Sequence, residues 1–420
     1  MNEKRFSATK LFLQVFLPFA FVYFLSYIVR GVNAVIFPYL ERDIGVTAAD
    51  LGLLTSAFFL FFAACQPLLG VALDRYGPRR LQTVLMAVAA AGAVLFALAT
   101  SLPELILARG LIGLGFAGGL MAAMKAITLW YPPRRWGLIT GFHMMAGGAG
   151  SMAATVPVEW SLSVITWQGL FFWLAGICLF AAAWLFAAVP DHRPTAPSGT
   201  LRQQFRITGI VLTDGFYWRL QPALCLQQLV YIAALTLWIG PWLRDVAGIG
   251  DIAKRADIQL YASAAMTLGF AASGLAADAL RRRGISDLLA SNAVTLLFVL
   301  VVGWIAFLPP DHPTLAWVLF GFLGAYPIQY FPLIIAAFPQ SYAGRASTSV
   351  NLLVFSTIFA GQWAIGKVVG LWPAAAGGGY AATGYAWAFG ALFILQLVAL
   401  AWLLVSSGRP MVRDALAAAD

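Results

Sequence analysis

Arg30, Arg109, Lys125 and His143 each stand inside long apolar stretches of the sequence, where charged or titratable groups are rare. A charge at mid-bilayer costs at least ~2.5–3.5 kcal/mol unless it is solvated or paired. Such a side chain therefore marks a polar cavity or a binding site. Arg30 offers a planar fork of donors suited to a carboxylate or phosphate, with Asn33 one turn further on the same face. Lys125, on the other side of the mid-plane, is a second group for the same anion. Arg109, His143 and Glu159 form the candidate coupling or charge network. Glu159 could neutralise Arg109 or Arg30, or could hold a proton. The competing readings are an Arg109 tied to backbone carbonyls, a snorkelling Lys125 and a buried neutral His143.

Neutral hydrogen-bonding groups recur later in the chain. Gln227, Gln228 and Tyr231 share one apolar stretch, Tyr326, Gln329 and Tyr330 a second, and Asn351 lies on a third. Facing a cationic wall, they would read the uncharged part of a small polar anion. The bland alternative is contact between helices, worth only ~0.6 kcal/mol on average. Pro327 and Pro332 can weaken their helix and free carbonyls there. Met121, Met124, Met144, Met145 and Met152 lie around His143 and raise a minor alternative, transport of Cu(I) or another metal. Lys125 opposes it. No nucleophile–base pair, metal-ligand spacing or phosphate-cradling loop is present, so neither an enzyme nor a cofactor is expected.

The elements that must position these groups are twelve apolar stretches, at 11–38, 50–70, 81–100, 103–130, 137–160, 167–189, 218–243, 257–279, 286–308, 314–339, 346–370 and 384–406. Each approaches the ~20 residues a transmembrane helix needs. The composition agrees: of 420 residues, 61% are hydrophobic and 10% charged, against roughly 25% charged in a soluble domain. The +9 net charge does not indicate nucleic acid, because the basic residues are scattered in short clusters between the apolar stretches. Eighteen of the 26 Lys and Arg fall in alternate loops and four in the intervening ones, which places both termini in the cytoplasm. Cys65, Cys178 and Cys225 are far apart within apolar runs and read as small core side chains.

The polar break at 190–217 divides the chain into an N-terminal unit, 1–189, and a C-terminal unit, 218–407, followed by a tail, 408–420. The halves repeat. Gly70, Asp74, Arg75, Gly77, Arg79 and Arg80 follow the second helix, and Gly274, Asp278 and Arg281 follow the eighth with the same Gly-x-x-x-Asp spacing. Internal duplication of this kind marks secondary transporter folds. The first string resembles the loop motif of the major facilitator superfamily, although Pro78 replaces the usual basic residue. Arg109, Gly113 and Gly115 resemble that superfamily's Arg-x-x-x-Gly-x-Gly motif on the fourth helix.

The resemblance implies an all-α membrane protein of twelve transmembrane helices in two pseudo-symmetric six-helix bundles. It implies alternating access around a site between the bundles. By analogy, Gly70, Asp74, Arg75, Gly77, Arg79, Arg80 and Asp278 form a conformational latch. The function expected is proton-linked transport of a small organic anion by a monomer in the cytoplasmic membrane. Its partners are the small-molecule substrate, the lipid bilayer and protons. Efflux of an amphipathic or cationic compound is the alternative, and the absence of a Gly-Pro step on helix five leans against it. Reporter fusions after Arg135, Arg206 and Arg283 are expected to report cytoplasm, and fusions near Asp50, Asp251 and Asp311 the opposite side. Reversal at two or more of these sites would overturn the orientation.

Overall fold

The computed structural model describes residues 7–132, 135–191, 201–308, 312–339, 342–373 and 379–406. The tail expected at 408–420 lies outside them, as do the side chains of Asp74 and Asp278. The described chain is helical throughout, as a lipid-facing backbone must be when no water can satisfy its amides.

A π-helical turn, Phe12–Phe16, leads into α1, Leu17–Ile44. α2, Ala48–Leu98, holds the second and third expected spans and is started by a capping box. The Thr47 amide donates to Asp50 Oδ2 at 3.0 Å, and the Asp50 amide to Thr47 Oγ1 at 3.3 Å. The motif stretch 71–80, expected as a loop, is helical up to a single kink. Gly77 supplies it, with φ 76° and ψ 165°, a conformation that side-chain-bearing residues avoid. The fourth span is α3, Leu102–Phe116, and α4, Gly119–Trp130, broken at Ala117 and Gly118. The fifth is α5, Trp136–Ala153, and α6, Val156–Leu162. The sixth is α7, Trp167–Ala188.

In the expected central loop the structure holds a further helix, α8, Leu201–Thr213, packed against α9 and α15. α9, Gly215–Ala233, continues through a π-helical turn, Ala234–Trp238, into α10, Ile239–Asp245. α11, Ile252–Arg282, and α12, Asp287–Phe307, follow. The tenth span is α13, Pro313–Gly324, and α14, Tyr330–Ala336, separated by a 3-10 turn, Tyr326–Gln329. Pro327 in that turn has no amide to continue the ladder. α15, Ala343–Val369, and α16, Ala382–Val405, complete the order.

Among the described residues eleven helices are long and apolar enough to cross a membrane. The expected count of twelve depends on joining α5 and α6, which Ala154 and Thr155 separate. Large apolar side chains cover the outside, among them Trp160, Trp173, Leu275 and Trp402. In water that coat would aggregate; in lipid it is solvated. The chain is a multi-pass membrane protein.

In the first half α2 packs on α3 and α7, and α1 on α5. In the second, α11 packs on α13, α12 on α16 and α9 on α15. Between the halves, α2 packs on α15 and α5 on α11. The α2–α15 seam is closed at both ends. Gly52 lies against Gly366 at one end and Gly70 against Arg345 and Thr348 at the other. The halves share one packing device. A methyl group on Gly113 of α3 would run into the backbone of Phe58, and one on Gly321 of α13 into the backbone of Ala262. Small residues at such crossings permit the backbone contact that holds helices together in lipid. Gly113→Val should therefore cost about 1–3 kcal/mol of stability by overpacking. It should be read as a lower melting temperature and less monodisperse protein in detergent, with Gly176→Val as the open-space control. An unchanged melting temperature would show that the crossing relaxes freely.

Candidate functional site

The interior is built around Arg30, on α1, which is 6% exposed. Its guanidinium carbon lies 4.9 Å from the centre of the Tyr27 ring, 5.4 Å from Phe62, 5.6 Å from Phe58 and 5.7 Å from Phe355. Three of these rings come from the first half of the chain and Phe355 from α15 in the second. Ring faces attract a guanidinium through their quadrupoles. They leave its donors unsatisfied, and Arg30 Nε has no hydrogen-bond partner.

Arg109 also lies against Phe58, its guanidinium carbon 5.6 Å from the centre of the same ring. It is fully buried, and Nη2 donates to the Val29 carbonyl at 2.6 Å. Nε and Nη1 have no partner. Two buried arginines thus share one aromatic ring, and among the described residues neither has a carboxylate partner. A buried charge is ordinarily paired. This pair carries uncompensated positive charge and several unused donors.

The other expected site residues divide. Asn33 Nδ2 donates to Thr55 Oγ1 at 3.0 Å, tying α1 to α2, while its Oδ1 has no partner. Gln227 Nε2 donates to the Gly324 carbonyl at 2.6 Å, and the Tyr231 hydroxyl to the Gly321 carbonyl at 2.9 Å. One turn apart on α9, they stitch that helix to the broken tenth span. Only Gln227 Oε1 is left over. The Tyr330 hydroxyl meets Asn292 at 2.8 Å and Thr295 at 3.1 Å. That hydroxyl is engaged by α12. Gln329 reaches Ser273 of α11 at 3.5 Å. Tyr326 and Asn351 are buried, and Gln228 and Lys125 are half-buried.

The expected charge network is not one cluster. Glu159 stands with Asp251, Arg255 and Asp257 at the start of α11, not beside Arg109 or Arg30. His143 is stacked on Tyr23, with ring centres 4.5 Å apart. The Met sulfurs are dispersed among hydroxyls: Met121 accepts from Ser347, Met124 from Thr140 and Met144 from Tyr23. The expected latch is also redistributed. Arg75 lies over its neighbour Tyr76, Arg79 over Phe186 and Arg80 against Asp191 at 2.7 Å. The last two tie α2 to the end of α7 within the first half. The guanidinium that crosses the seam belongs to Arg345, which lies over Gly70.

Phe58, Phe62, Phe355 and Arg345 escaped the sequence reading. Aromatic residues are abundant in an apolar chain, so only the burial of Arg30 and Arg109 could have singled out rings one turn apart at Phe58 and Phe62.

The family model described as Major Facilitator Superfamily matches residues 19–362, and the chain belongs to that superfamily. A relative described as a probable sulfoacetate transporter, from Cupriavidus necator, is 29% identical over 186 residues, 43% of this chain and 43% of its own. A chloramphenicol resistance protein of Streptomyces lividans is 33% identical over 220 residues, 51% of this chain and 54% of its own. The chain thus spans about half the length of these curated relatives. A solved inward-facing bacterial homologue of the human lysosomal transporter Spinster superposes with a TM-score of 0.72. It is 17% identical, and the superposition covers 97% of this chain and 99% of the other.

Phe58→Leu preserves apolar bulk but removes the ring that both guanidiniums share. At ~0.5–2 kcal/mol for each contact, about 1–4 kcal/mol of stability should be lost. Thermal unfolding in detergent measures it, with Phe59→Leu as the packing control. Equal loss in the two variants would deny the ring a special role.

Proposed function

We propose that this superfamily member is an alternating-access secondary transporter for a small organic anion, coupled to protons, in the cytoplasmic membrane. The reading includes two pseudo-symmetric six-helix bundles, 1–189 and 218–407, working as a monomer with both termini cytoplasmic. Arg30 binds the anion, Arg109 holds the positive field beside it, and Lys125 receives the anion as the site opens toward the basic loops. The observation that carries this is the pair of buried guanidiniums sharing Phe58 without a carboxylate partner among the described residues. A carboxylate or sulfonate reaching the edge of Arg30 would use its idle donors while the rings keep its faces. The sulfoacetate relative supports an anionic cargo.

Residues from both halves surround the site, which suits alternating access. Phe355 must part from Arg30 whenever the halves separate there. The latch reading now centres on Gly70 and Arg345, with Asp74 and Asp278 as its proposed acidic members. The second reading, efflux of an amphipathic compound, is favoured by the chloramphenicol resistance relative. A cationic cargo fits it less well, because the described carboxylates lie toward the helix ends and not beside the two arginines.

Purified protein in proteoliposomes should take up or bind members of a panel comprising sulfoacetate, succinate and lactate, each inhibiting the others. Arg30→Lys keeps the charge but loses the fork. At about 1.5–3 kcal/mol for charge-assisted hydrogen bonds, binding should weaken roughly tenfold to a hundredfold. Expression should be unchanged, and Arg30→Gln should abolish transport. Normal transport by Arg30→Gln, or binding of only cations and neutral compounds, would defeat the anion reading.

A further inference from the structure

Beside Arg30 the interior leaves more than guanidinium donors unused. Asn33 and Gln362 are both fully buried. Among the described residues Asn33 Oδ1 has no hydrogen-bond partner, and neither end of the Gln362 side-chain amide has one. Asn33 lies one turn beyond Arg30 on α1, with Nδ2 donating to Thr55 Oγ1 of α2 at 3.0 Å. Gln362 lies on α15, in the second half. Its backbone carbonyl faces Gly52, one turn before Thr55 on α2. Phe355, two turns before Gln362, meets Phe59 and Phe62 at ring-centre distances of 5.9 and 4.1 Å. α2 and α15 therefore run antiparallel along the seam, and Asn33 and Gln362 reach the same stretch of α2 from opposite halves. The Ser56 hydroxyl of that stretch is spent on the Gly52 carbonyl. A buried amide without a partner carries its full desolvation cost. Here two stand next to the rings that hold the anion-binding guanidinium.

We propose that Asn33 and Gln362 form a second subsite beside Arg30 that binds a hydroxyl group of the anion, so that the cargo is a hydroxy acid. The proposal deepens the anion reading and rests on it. A hydroxyl both donates and accepts. It can donate to Asn33 Oδ1 and accept from Gln362 Nε2, which pairs an atom of each amide with one substrate group. A second carboxylate only accepts, and it would meet the negative ends of two amide dipoles. An apolar chain would leave both amides as they are.

The division of labour follows from where the groups sit. Arg30 belongs to the first half and recognises charge, which every anion of suitable size shares. Asn33 and Gln362 recognise the hydroxyl, and they come from different halves. The hydroxyl is therefore held by both amides when α2 and α15 are together at the Gly52 end of the seam. Charge would bring an anion to the site, and the hydroxyl would decide which anion is kept there.

The test uses the full chain in detergent and pairs of anions that differ by hydroxyl groups: lactate and propionate, malate and succinate, gluconate and hexanoate. In at least one pair the wild type should bind the hydroxy member about tenfold more tightly or better, because a site that hydrogen-bonds a hydroxyl rejects the analogue lacking it. Gln362→Met and Asn33→Ala should each bring that ratio of dissociation constants to within about threefold of unity. The ratio is the readout because a misfolded or generally weakened site lowers both members of a pair alike. Equal binding within every pair by the wild type, or tighter binding of the deoxy member in every pair, overturns the proposal and leaves the anion reading standing. A wild-type preference that persists in either variant also overturns it. The wild-type ratios decide the matter if both variants fail to insert. Failure of every anion to bind the wild type removes the Arg30 reading, and this one falls with it.

Discussion

Two guanidiniums held 5.6 Å from the centre of one phenyl ring, with no carboxylate partner among the described residues, govern this structure. Positive charge is costly in low dielectric, and two such charges near each other are costlier. The ring faces recover part of that cost, and the Val29 carbonyl recovers another part for Arg109. The remainder stays as unused donors. The site is stable enough to fold and still leaves donors unused.

Bringing Phe58 within reach of both arginines depends on a feature that carries no charge. Gly113 lies one turn beyond Arg109 on α3, and it lets that helix touch the α2 backbone at Phe58 itself. A side chain there would push Arg109 away from the ring. The glycine of the recognised motif and its arginine therefore act as one unit, the first setting the distance at which the second can share Phe58. The repeat of this crossing at Gly321 and Ala262 has another purpose. There the tenth span is broken at Tyr326–Gln329, and Gln227 and Tyr231 hold the two sides together through backbone carbonyls.

Much of the architecture was legible in the sequence because membrane helices are set by local composition. The apolar runs, the duplication and the burial of Arg30 and Arg109 need no knowledge of packing. What escaped depended on which face a residue presents. Tyr330 and Gln227 sit on the expected helices, yet one turns toward α12 and the other is spent on a carbonyl. Arg79 and Arg80 belong to the expected motif but reach along their own half, to Phe186 and Asp191. Phe355 is anonymous among 31 phenylalanines. Only the fold brings it across to Arg30.

The missing counter-charge also has an electrical meaning. Membrane voltage does work on any charge that moves along the membrane normal, about 2.3 kcal/mol per elementary charge per 100 mV for a full crossing. The interior holds two guanidiniums whose charge no described carboxylate cancels. In the proposed cycle, any shift of that core along the membrane normal would be biased by the membrane potential, with the sign of a cation. The proposed anion at Arg30 would reduce the moving charge. Free and loaded forms of one protein would then feel the same voltage to different degrees, through nothing more than a ring placed where a carboxylate would have cancelled the charge.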